Sequence, residues 1–100
     1  MHEPAVWRAT NTHLYPGARL KAEASKAVAG PITIEFADLG TANARLERRG
    51  RDWVLRVGEH RTQRGVAILP KAWQVAPLPE SESANCWRVL RRADKAPSER

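Results

Sequence analysis

Thr41-Ala42-Asn43-Ala44-Arg45-Leu46-Glu47-Arg48-Arg49-Gly50-Arg51-Asp52-Trp53-Val54-Leu55-Arg56-Val57 is the stretch on which the fold turns. Read as a helix, it has Thr41 as N-cap and Gly50 at its end. Read as a hairpin about Arg49-Gly50, it sets Leu46 opposite Trp53, Ala44 opposite Leu55 and Ala42 opposite Val57. Every apolar side chain on one strand then meets an apolar partner on the other. Sliding the pairing by one residue sets Leu46 against Asp52 and loses the match. Gly50 supplies the positive φ of a tight turn. The hairpin is the reading adopted.

Outward from the hairpin, strand signals recur. Val6 to Tyr15 alternates and is rich in Val, Trp, Thr and Tyr, and Pro16-Gly17 ends it. Ile32, Ile34 and Phe36 point one way and Thr33 and Glu35 the other, a strand that Asp38-Leu39-Gly40 turns. Ala18 to Ala29 is rich in Ala, Lys and Glu, and Leu20, Ala24, Ala27 and Val28 share one helical face ahead of Gly30-Pro31. A short helix is expected there, although Leu20, Ala22 and Ala24 also alternate as a strand would.

After Val57 comes a polar loop, Gly58 to Gly65, then the apolar run Val66 to Leu69. Pro70 marks a bend or an edge, and Lys71 to Ala76 carries Trp73 and Val75 on one face. Cys86 to Arg92 reads either as a closing strand with Trp87 and Val89 inward or as a helix begun at Ser81. The expected fold is mainly β, a small antiparallel barrel or strongly bent sheet of five to six strands, with one short helix over 18–29; an α+β arrangement is the alternative.

One hundred residues form one domain, expected over 1–92 with a flexible tail at 93–100. A chain of this length buries about 60–65% of its unfolded surface, enough for one modest core. Trp53 and Trp87 are assigned to that core, while Trp7 and Trp73 are left open between core and surface. No apolar run is long enough to span a bilayer, and the N-terminus reads as carrying no secretory leader. The single cysteine, Cys86, allows no internal disulfide framework and fits a reducing cytoplasm, and the Arg- and Ala-rich usage suggests a bacterial source.

Charge is where function enters. The net charge is +6 and the pI near 10.4. Between Thr41 and Val75, seven arginines and one lysine face three acids, so this segment holds +5 of the total. Concentrated charge of one sign points to a polyanionic partner. Arginine forks fit phosphate in pairs, and a β ribbon can follow a groove or a single strand. The candidate binding residues are therefore Arg45, Arg48, Arg49, Arg51 and Arg56 on the hairpin and Arg61 and Arg64 in the following loop. The bland alternative is a solvated hairpin whose arginines pair with Glu35, Glu47, Asp52 and Glu59.

The expected function is a small non-enzymatic module that engages DNA or RNA through phosphates. One alternative is a protein-interaction module or accessory subunit, meeting an acidic protein or its own copy through a sheet edge at Val66 to Val75. Another is a ribonuclease-type toxin built on Glu59-His60-Arg61 with Arg64, where an imidazole neighbours a phosphate-binding guanidinium. No nucleophile elbow, phosphate loop or paired Cys/His spacing occurs, so neither cofactor nor metal is expected.

Overall fold

The computed structural model describes residues 5–11, 13–22, 29–37, 40–79 and 85–93. Nine strands occur among them: β1 (Ala5–Ala9), β2 (Arg19–Ala22), β3 (Gly30–Phe36), β4 (Thr41–Arg49), β5 (Asp52–Val57), β6 (His60–Arg61), β7 (Ala67–Ile68), β8 (Lys71–Pro77) and β9 (Cys86–Arg92). Seven close into a barrel in the order β1-β2-β9-β8-β5-β4-β3, and β6 and β7 form a separate two-stranded ribbon. The fold is thus mainly β, with more strands than the five or six expected. No helix among the described residues is long and apolar enough to cross a membrane.

The extra strand is β2, where a helix was expected. Arg19 and Lys21 are exposed while Leu20 and Ala22 are buried, an alternation no helix gives. Pairing decides the matter: β2 is bonded to β1 on one side, with Leu20 opposite Ala9, and to β9 on the other, with Leu20 opposite Trp87. Two ladders and a buried Leu20 outweigh the helix preference of Ala, Leu and Lys, worth only tenths of a kcal/mol per residue. Residues 23–28, the rest of the expected helix, lie outside the described residues. So does most of the expected tail, 94–100.

Strand directions alternate all the way round a closed sheet only if the strand number is even. With seven, one neighbouring pair must run parallel, and that pair is β1 with β3, where Trp7 is level with Ile34. β1 is shorter than expected, ending at Ala9. The expected open edge is also missing from β8, which is paired to β5 and to β9. Pro70 stands immediately before β8. The last strand, β9, is extended over its length, which removes the helical alternative for residues 86–92. A bulge opposite Gln74 and Val75 leaves Leu90 without a facing residue and adds the bend that closure needs.

The hairpin forms with a corrected register. Leu46 lies opposite Leu55, Ala44 opposite Val57 and Arg48 opposite Trp53, two residues along from the expected pairing. The turn is Gly50-Arg51, not Arg49-Gly50. Gly50 has φ 61°, and a positive φ confined to the first central residue is the pattern of a type II′ turn, which suits strand twist. A shift of two keeps each side chain on its face, so the inside and outside assignments survive.

The interior is filled strand by strand. Leu20, Ile34, Leu46, Leu55, Val75 and Val89, one each from β2, β3, β4, β5, β8 and β9, are almost fully buried, and β1 adds Trp7. All four tryptophans belong to or pack on this core, Trp53 only partly covered. The Trp87 ring lies 4.9 Å from Trp7 and meets Trp53 edge-on at 5.7 Å, so aromatic rings from β1, β5 and β9 fill the end of the barrel near the Gly50 turn. Truncating Leu55 to alanine in the middle of this packing should cost about 3–5 kcal/mol in urea unfolding. Replacing Gly50 by alanine should cost about 1–2 kcal/mol, from the positive φ alone, since open space surrounds its Cβ position.

Candidate polyanion interface

Alternation along β4 and β5 puts Asn43, Arg45, Glu47 and Arg49 on the outer surface beside Asp52, Val54 and Arg56. Arg45 is directly opposite Arg56, and Arg49 is opposite Asp52. Like charges facing each other across a sheet disfavour the pairing. Glu47 offsets part of this by accepting a hydrogen bond from Arg56 Nε at 2.9 Å. Arg45, Arg49 and Arg51 have exposed side chains that make no hydrogen bond or ion pair within the described residues.

Glu47 reports the field of this surface. Its carboxyl is held below the ordinary glutamate range, first by the Arg56 hydrogen bond and then by the charges of Arg56, Arg49 and Arg45, with desolvation opposing. Three of the expected binding residues therefore act on one point. Val54 is the apolar exception on this surface and is nevertheless buried. Its neighbours in the same row are Glu47 and Gln74, with Arg56 two residues along, long side chains whose stems suit that cover.

The remaining expected residues are distributed differently. Arg48 shares the inner-facing side of β4 with Leu46 and reaches over the barrel end, its guanidinium 4.9 Å from the centre of the Trp53 ring and its Nε donating to the Gly50 carbonyl at 3.0 Å. That contact serves the Trp7–Trp53–Trp87 cluster. Arg61 and Arg64 lie beyond the other end of β5, roughly 17–20 Å from the turn at about 3.3 Å per residue. Arg61 Nη1 donates to the Gly65 carbonyl at 2.7 Å, bracing the β6–β7 ribbon, and Arg64 is exposed in its turn.

Two members of the cluster weighed as catalytic are placed by the β6–β7 ribbon. His60 and Arg61 are successive residues of a strand and face opposite ways. The His60 ring stacks on Phe36 at 4.9 Å and 19°, and its Nδ1 donates to the Gly58 carbonyl at 3.0 Å. Among the described residues no three His, Cys, Asp or Glu side chains are grouped as metal ligands.

Closure adds basic residues that the linear sequence keeps apart. Arg91, exposed on β9, is level with Gln74 and extends the outer surface of β4, β5 and β8. On the far side of the barrel Arg19 faces Arg88, and Arg8 faces Lys21 while bridging to Glu35 at 3.3 Å. The alternating exposure of Arg19-Leu20-Lys21-Ala22 was the signal for the latter group, and it was masked by a helix-forming composition. Comparison with protein-family models, with curated proteins and with solved structures finds no match to this chain.

Because Glu47 has a lowered pKa in the folded protein, its contribution to stability is present above the ordinary glutamate value and is lost as pH falls through the lowered one. A carboxyl-detected NMR titration should place the Glu47 midpoint below that of ordinary glutamate. In Arg56→Ala it should move up toward the ordinary value; an unmoved midpoint would mean that the hydrogen bond does not hold the carboxylate.

Proposed function

We propose that this barrel is a non-enzymatic binding module that engages nucleic acid through its phosphates, with Arg45, Arg49, Arg51 and Arg56 as principal contacts and Arg91 at the margin. The observation that carries this reading is the direct opposition of Arg45 and Arg56 on an exposed sheet surface, with Glu47 as the counter-charge between the rows. A folded domain gains nothing from facing like charges, whereas a polyanion turns the same arrangement into paired guanidinium–phosphate contacts. Arginine alone supplies the cations of the hairpin, which favours planar, two-pronged recognition over simple charge attraction. Guanidinium–phosphate contacts carry no base information, so affinity through this surface depends weakly on sequence. Cys86, a half-buried thiol on β9 and the one cysteine of the sequence, suits a reducing compartment such as the cytoplasm.

An acidic protein partner is the competing reading, because carboxylates also fit guanidinium forks. Counterion release separates the two. With four phosphate contacts, log affinity for an oligonucleotide should fall against log salt with a slope of roughly −3 to −4. Arg45→Ala/Arg49→Ala removes two exposed cations without touching the core, and should make that slope shallower by about 1.5–2 in fluorescence anisotropy. A slope near zero, or a double variant indistinguishable from the parent, would sink the proposal.

A further inference from the structure

Where β5 ends and β8 begins, the rim of the barrel carries an open groove of about 300 Å³. Val57 and Ala72, both buried, form its floor, and Arg56, Gly58, Pro70 and Lys71 line its sides. Register explains the grouping, since Arg56 is level with Ala72 and Val57 with Lys71. Arg56 faces outward. Lys71 alternates with the inward Trp73 and Val75, yet reaches the same groove because it is the first residue of its strand, at the rim.

The groove combines fixed backbone with unpaired cations. Gly58 N donates to the Asn43 carbonyl at 2.7 Å, and the Gly58 carbonyl accepts from His60 Nδ1 at 3.0 Å. A Cβ at Gly58 would come 3.1 Å from that Asn43 oxygen, so this wall sits close against β4. Arg56 uses Nε for Glu47, and its two Nη groups make no hydrogen bond among the described residues. Lys71 is half-buried, and its ammonium makes no hydrogen bond or ion pair among the described residues. On its other side lies a recess with room for about one water, shared with His13 and His60. No carboxylate lines either space. A charge drawn partly out of water without a partner is costly, and an incoming anion removes that cost.

We propose that the bound strand continues from Arg56 across this groove, one sugar seated over Val57 and Ala72 beside Pro70 and the next phosphate on Lys71. The proposal rests on the phosphate-binding reading of the hairpin and adds where the strand leaves it. Charge selects the occupant: two cations flank an apolar floor, matching the order phosphate, sugar, phosphate along a nucleic acid backbone. The volume is at the low end of ligand pockets, about 300–1,000 Å³, and the groove is open, as a continuous chain requires.

The test repeats the salt titration of a fluorescein-labelled DNA oligonucleotide with Lys71→Gln, Lys71→Arg and Lys21→Gln. Lys21→Gln removes the same charge from β2, on the far side of the barrel. Lys71→Gln should bind about 5-fold more weakly at about 0.1 M salt and make the slope shallower by about 0.7–0.9, the share of one phosphate. Lys71→Arg and Lys21→Gln should keep the parent slope. A second measurement uses the unmodified protein and so does not depend on a variant folding. The Lys71 ε-methylene NMR signals should shift as the oligonucleotide is added, while those of Lys21 stay in place. Equal slopes for Lys71→Gln and Lys21→Gln, or unmoved Lys71 signals, would overturn the groove; the arginine surface then stands if Arg45→Ala/Arg49→Ala still flattens the slope. An equal Lys71 shift with inorganic phosphate alone, at matched phosphate concentration, would make the groove a free-anion site and overturn it too. A parent slope near zero would remove both readings.

Discussion

The parallel ladder between β1 and β3 is the constraint from which the rest follows. It is the seam of a seven-stranded sheet, and with it closed no strand of the barrel keeps an open edge. Closure divides the side chains of each strand between an interior that must be filled and a surface that meets solvent. Leu20, Ile34, Leu46, Leu55, Val75 and Val89 take the first role. Arg45, Arg49 and Arg56 are thereby committed to the second. Their placement is a consequence of packing by the residues next to them in each strand, not of any attraction among themselves.

The two ends of the barrel are built differently. Near the Gly50 turn, Trp7, Trp53 and Trp87 pack ring against ring and Arg48 lies over Trp53, so that end is filled by side chains. At the other end Arg92 lies over Trp73 and the His60 ring stacks on Phe36, so the β6–β7 segment is joined to the barrel there by its own ring contact. The arginine surface of β4 and β5 spans the distance between the two ends.

Much of the architecture was legible because strand alternation is a local property. Ile32 to Phe36 and Leu46 to Val57 announce their inner faces whatever they pair with. Register was less legible: it depends on which two residues make the turn, and Gly50 accepts a positive φ in either of two turn positions. β2 was hidden for another reason. Arg19-Leu20-Lys21-Ala22 has the composition of a helix, and only pairing with β1 and β9, far away in sequence, makes it a strand. The same distance hid Arg91 beside the hairpin and Lys71 beside His13 and His60. Arg48 was placed correctly near the turn, but its contact with Trp53 depended on the register. For Arg61, the Gly65 carbonyl becomes a partner only once the β6–β7 ribbon has folded.

Whether barrel closure aims Arg45, Arg49 and Arg56 at one shared ligand is read most directly from arginine Nε–Hε signals, followed by NMR as an oligonucleotide is added. The signals of these three residues should move together along a single binding curve while that of Arg8, bridged to Glu35 on the far side, stays in place. Three signals that stay still while Arg8 moves, or that follow separate curves, would contradict it.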